Sequence, residues 1–235
     1  MTANEIQKQL ESFSTEEKRN FLPYFFKTGK GQYGEGDKFL GVVVPDARKV
    51  AKANKDIPFS EAEKLLRNEY HECRLCALLI LVERFKKAKY EPEKELIYNF
   101  YLSQTKYINN WDLVDLTARD IVGAYLADKE DRSVLYKLAK SELLWDQRIA
   151  IVATYAFIKK SDFNDTLRLS EIYLTHKHDL MHKATGWMLR EVGKQDKDAL
   201  VGFLEEYSKI MPRTMLRYSI EKFSPEERAY YMKKD

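Results

Sequence analysis

Apolar residues recur at helical spacing along nearly the whole chain. Ile6, Leu10 and Phe13 open the pattern, Leu65 and Leu66 continue it, and Leu75, Leu78, Leu79 and Val82 make its densest stretch. Ile149, Val152 and Ala153 repeat the spacing, as do Ala184, Trp187 and Met188. A period of three to four residues gathers apolar side chains on one face of a helix, and that face must be buried. No alternating run predicts a strand. The one β-branched run, 42–44, ends at Pro45, and the Pro-Asp-Ala-Arg that follows predicts the first turn of a helix.

Several of these segments resemble one another. EYHECRLCALLILVERFKK, LLWDQRIAIVATYAFIKK and LMHKATGWMLREVGK each run from polar residues through a basic residue into an apolar helix ending in lysine. The basic residues are Arg74, Arg148 and Lys183, and a weaker terminal copy from Pro212 carries Arg213. NNWDLVDLTARDIVGAYL lies between the first two, with Asp112 in the basic position. The spacing is about 30–40 residues, the range of helical solenoid repeats. One helical hairpin cannot bury its own apolar face, so neighbours must stack. The predicted architecture is all-α: a curved α-solenoid of HEAT-like repeats with a concave basic groove, forming a single domain over residues 1–235.

Composition agrees. The 235 residues are 44% hydrophobic and 33% charged, with only 9 Gly and 6 Pro, which favours helix and argues against disorder. A net charge of +3 neither requires nor excludes nucleic acid, because a basic face can be balanced by an acidic back. No apolar run approaches the roughly 18 residues a membrane helix needs. The N-terminal segment carries Glu5 and Glu11 and has no signal-peptide core, so a cytoplasmic protein is expected. Cys73 and Cys76 form a Cys-x-x-Cys without a second pair, inside a helical segment, where cysteine packs as a small apolar residue. His176, His178 and His182 lack the carboxylate of a metalloprotease motif and are read as capping or surface residues. No metal or cofactor is expected.

One segment falls outside the array. Residues 27–41, KTGKGQYGEGDKFLG, hold five of the nine glycines and read as a loop. Glycine there permits unusual backbone angles and close approach. The loop has neither the spacing nor the preceding strand of a phosphate-binding motif, so nucleotide binding is excluded.

The chemistry concentrates at 109–115, NNWDLVD. Trp111 and Asp115 are four residues apart at a helix start and so share one face. An indole beside a carboxylate suits a cationic planar ligand, or a reaction that develops positive charge. Asp115 stands among Leu113, Val114 and Leu116, where a carboxylate needs a partner, and Arg148 at the matching repeat position is the natural one. Trp187 follows Lys183 by one turn; aromatic residues interleaved with cations suit nucleic acid.

These residues carry a family resemblance. FFKTGKGQYGEGDKFLGVVVPDARKVAK, NNWDLVDL, WDQRIAIV and HKATGWMLREVGK, in that order, resemble the AlkD-type DNA alkylation repair family, glycosylases built on HEAT-like repeats. The resemblance runs from about residue 20 to the end. It implies a monomeric DNA glycosylase for N3- and N7-alkylated purines, 7-methylguanine among them, in double-stranded DNA. It places the catalytic carboxylate at Asp115, the lesion-side tryptophans at Trp111 and Trp187, and the site arginine at Arg148. Lys183 joins the DNA-binding set. A further aromatic falls near Tyr24 or Phe25, with Phe25 in the position where the family has tyrosine. No lysine is poised for Schiff-base chemistry, so monofunctional hydrolysis is implied. Two other readings compete: a non-catalytic DNA-binding relative that recognises DNA shape, and a HEAT-like protein-interaction scaffold.

Overall fold

The computed structural model describes residues 1–233. It is helical, and among the described residues the one extended pairing is an isolated bridge between Lys38 and Tyr70. The backbone divides into two compact units, one spanning Met1–Thr117 and the other beginning at Ala118.

The first unit comprises α1 (Ala3–Glu11), α2 (Glu16–Phe25), α3 (Val44–Ala53), α4 (Phe59–Leu66), α5 (His71–Lys87), α6 (Glu91–Ser103) and α7 (Trp111–Asp115). Its axis is α5. Every residue from His71 to Val82 is buried, because α1, α3, α4, α6 and α7 all pack on it. That explains a segment apolar on all sides instead of one. The helix at 44–53 starts as its sequence predicts, with Pro45 in its first turn, where the missing N–H costs nothing.

The long connection between α2 and α3 is a chain of turns. Its end is fixed at Gly41, whose φ of +92° lies in the region that favours glycine. A Cβ there would stand 2.6 Å from the Thr15 carbonyl oxygen and 2.7 Å from the Arg19 nitrogen, so glycine is required for space as well.

The second unit comprises a π-helical turn at Arg119–Gly123, α8 (Ala124–Leu126), α9 (Ser133–Ala139), α10 (Leu144–Ala153), α11 (Tyr155–Ile158), α12 (Asn164–Ile172), α13 (Asp179–Gln195), α14 (Lys197–Tyr207), α15 (Arg213–Ser219) and α16 (Pro225–Met232). Here α13 is the axis, packed against α10, α11, α12, α14 and α15. Its contact with α15 is close because Gly186 has no side chain. A Cβ would meet the Met215 carbonyl oxygen at 2.5 Å.

The similar segments of the sequence thus become α5, α10 with α11, α13 and α15, while the divergent copy becomes α7, the π-turn and α8. The all-α class follows the hydrophobic period. Not every cation of the repeat pattern faces water. Arg74 is buried, donating to Asp37 Oδ1 at 2.5 Å and to the carbonyls of Asn68 and Glu69. No helix among the described residues is long and apolar enough to cross a membrane.

Candidate functional site

Helix α7 is only five residues long and is held by its surroundings more than by its own hydrogen bonds. Asn110 caps it: the side-chain oxygen accepts from the Trp111 amide at 2.8 Å, while Nδ2 donates to Asp37 Oδ2 at 3.3 Å. Asp112, buried in the first turn, accepts from the Leu113 amide at 2.9 Å and from His71 Nε2 at 2.8 Å. Trp111 and Asp115, both half-buried, line one cavity of about 420 Å³. The shared face read from their spacing is therefore realised.

The rest of that cavity is apolar, formed by α2, α3, α5 and the end of the long loop. Phe25, Phe26, Phe39, Val42 and Leu75 are among its apolar lining, and His71, Glu72 and Asp112 border it as polar groups. Phe26 is the hub of the aromatic side. Its ring stacks on Trp111 at 5.4 Å and on Phe39 at 5.1 Å, and lies 4.8 Å from the His71 ring. Phe25 meets Trp111 edge-on at 6.0 Å. Tyr24, one position earlier on α2, points elsewhere: it is 74% exposed and carries Lys27 over its ring at 4.7 Å. Of the two aromatics named from the sequence, Phe25 lines the cavity.

Beneath this wall is a charge relay that sequence reading did not find. His71, buried as the first residue of α5, bonds Asp112 through Nε2 and Asp37 through Nδ1, the latter at 3.2 Å. Burial alone would favour the neutral ring, but the charge and hydrogen bond of Asp112 and the bond to Asp37 outweigh it, raising the His71 pKa to about 9. Burial likewise acts against an ionised Asp37, yet His71 and Arg74 prevail and hold its carboxyl below the usual range. Glu72 lies next in the chain. Its carboxylate accepts the backbone amides of Leu40, Gly41 and Val42 at 2.9, 2.8 and 3.1 Å. Such a nest of N–H groups stabilises a buried anion. The adjacent pair His71-Glu72 at the start of a buried helix, and the acid Asp37 in a glycine-rich loop, were the available signals.

The remaining sequence-predicted residues belong to the second unit. Arg148 is buried in α10 and donates through Nη1 to the Leu180 carbonyl. Lys183 forms a one-turn ion pair with Asp179 at 2.7 Å. Trp187, half-buried on the same helix, faces the Tyr155 ring at 6.2 Å, and the cationic groups of Arg119 and Lys159 lie 5.2 and 5.3 Å from that ring. The cations beside this aromatic pair are thus Arg119 and Lys159, while Lys183 is engaged with Asp179. His178 caps α13 by accepting the Leu180 amide at 3.2 Å, a capping role as read from the sequence, and His176 bonds Gln147 at 2.7 Å. Among the described residues no cluster of His, Cys, Asp or Glu could hold a metal ion. Both cysteines are free and buried in α5, and burial pushes their thiols up, that of Cys76 to about 12.

Fold and site define an all-helical protein whose first unit presents an indole and a carboxylate to an apolar cavity. The chain belongs to the DNA alkylation repair enzyme family, whose model matches residues 6–223. It is similar in structure to a predicted DNA alkylation repair enzyme from Enterococcus faecalis, with a TM-score of 0.69 at 16% identity over 90% of this chain and 97% of that one. At that identity the likeness speaks for the fold alone. No curated protein matches the chain.

Proposed function

We propose that this protein is a monofunctional glycosylase that removes N7- and N3-alkylated purines, such as 7-methylguanine, from duplex DNA. The observation that carries this reading is that Trp111 and Asp115 line one apolar cavity on a helix anchored by buried charges. Membership of an alkylation repair family supports alkylated DNA as the substrate.

The chemistry suits these groups. An alkylated purine is already cationic, so it leaves without a general acid. The C1′–N bond breaks with its electron pair passing to the base, which departs neutral, and positive charge develops on the sugar. The Asp115 carboxylate stabilises that charge and orients the water that adds to C1′, whose proton passes to the carboxylate or to solvent. Trp111 supplies an indole face to the cationic lesion and excludes solvent. Phe25 takes the family's aromatic position without its hydroxyl, so it packs against the substrate and donates no hydrogen bond. Arg148, Lys183 and Trp187 serve DNA binding, Tyr24 extends the DNA-facing surface of α2, and a monomer acting without a cofactor suffices.

The test is release of 7-methylguanine from methylated duplex DNA by wild type and by Asp115→Asn. The variant should retain its circular dichroism and lose at least about 100-fold in rate, as when one group that stabilises transition-state charge is removed. Equal rates would remove Asp115 from catalysis. A wild type that releases no base would sink the glycosylase reading.

A further inference from the structure

The cavity that holds Trp111 and Asp115 is bordered by His71, a histidine that nothing in the proposed reaction uses. Its surroundings are unusually complete. Nε2 faces Asp112 Oδ2 at 2.8 Å and Nδ1 faces Asp37 Oδ2 at 3.2 Å, so each ring nitrogen has a carboxylate. Carboxylates accept and do not donate, so both contacts are hydrogen bonds only when both nitrogens carry protons. One face of the ring stacks on Phe39 at 4.8 Å and 24°, and Phe26 lies at the same distance, an arrangement that suits a cation. Within the bridge two carboxylates, Asp37 and Asp112, face two basic groups, His71 and Arg74, with Arg74 donating to Asp37.

This bridge joins two segments that are weak by themselves. Asp37 belongs to a long glycine-rich connection, and Asp112 to a helix of five residues. Asp112 is flanked by Trp111 and stands one turn before Asp115 on α7. Whatever fixes Asp112 therefore fixes the orientation of both side chains at the cavity. The other ionisable groups lining the same cavity are Glu72, committed to three backbone amides, and Asp115.

We propose that His71 is a positioning residue of this site: as a doubly protonated imidazolium bridging Asp37 and Asp112, it holds α7 so that Trp111 and Asp115 stand ready at the cavity. The proposal rests on the glycosylase reading for its catalytic consequence, but not for its geometry. Loss of the ring proton turns one bridge contact into a repulsion between lone pairs, and α7 loses an anchor. The enzyme should then lose its rate, while the DNA grip supplied by the second unit stays.

The test combines two measurements on the full chain. Nitrogen NMR of histidine-labelled protein should show both nitrogens of His71 protonated at neutral pH, titrating in the region of pH 9. Single-turnover excision from methylated duplex should fall with the same midpoint, while the DNA concentration for half-maximal rate changes less than about twofold. His71→Gln should lower the rate about 10- to 100-fold, the scale of a misplacement near 1 Å, and abolish the alkaline fall. A neutral ring at pH 7, or a wild-type rate that is flat while His71 titrates, overturns the proposal even if the variant fails to fold. If wild type releases no base, the glycosylase reading fails. The positioning role is then decided by the Trp111 indole cross-peak, assigned with Trp111→Phe: a shift on titration of His71 supports it, and a fixed peak overturns it.

Discussion

Phe26 stacks on Trp111 with ring centroids 5.4 Å apart and planes 26° from parallel. The pair links the end of α2 to the start of α7 across 85 residues of sequence. Because Phe26 also touches Phe39 and His71, it is the residue through which the aromatic wall acts as one piece.

Truncating that hub should be expensive. Phe26 is 6% exposed, and Phe26→Ala should cost about 3–5 kcal/mol in urea unfolding, the usual range for a buried aromatic. Phe25 is 46% exposed, so Phe25→Ala should cost less than about 1.5 kcal/mol. Equal costs would mean that the wall does not centre on Phe26.

Stability should depend on pH through His71. Its pKa in the folded protein is about 9, above the roughly 6.5 of a free imidazole. A raised pKa stabilises fully below the unfolded value and loses that contribution as pH rises through the folded one. The urea midpoint should therefore fall between about pH 6.5 and 9, and this fall should disappear in His71→Gln. His176 and His178 act in the opposite sense. Burial, aided by neighbouring basic groups, lowers their pKa values, so their contribution is lost as pH drops below the free value. A midpoint that rises from pH 7 to 9 would contradict the bridged imidazolium.

Glu72 closes the long loop by accepting three consecutive amides. In Glu72→Gln the charge is lost and an NH2 group replaces one of the accepting oxygens. The cost should be about 2–4 kcal/mol, since buried N–H groups lose their acceptor. Hydrogen exchange at Leu40, Gly41 and Val42 should accelerate ahead of exchange in α5. Unchanged protection at those amides would show that the loop is held elsewhere.

Much of this was legible in the chain. Helical spacing marked α1, α4, α5, α10 and α13. Residues 109–115 read as a helix start, and four-residue spacing put Trp111 and Asp115 on one face. Each is a local relation, carried by a few neighbouring residues. The imidazolium bridge is not local: Asp37, His71 and Asp112 are separated by 34 and 41 residues, and nothing in a hydrophobic period says where a loop closes. The same limit applies to Arg74. At its position in the repeat it read as a cation for a groove, but an acid 37 residues earlier in the chain claims it. Tyr24 and Phe25 could not be separated by pattern because they are consecutive aromatics, and about 100° of helical rotation decides which one enters the cavity.

The two cysteines of α5 have a consequence for the conditions under which such a protein works. A member of an alkylation repair family operates where electrophiles have been, and thiolates are the softest nucleophiles a polypeptide offers them. Cys73 and Cys76 are enclosed and strongly biased to the protonated state, so neither offers a thiolate to the agents whose lesions the family repairs. Alkylation of either thiol would first require α5 to come out of its core.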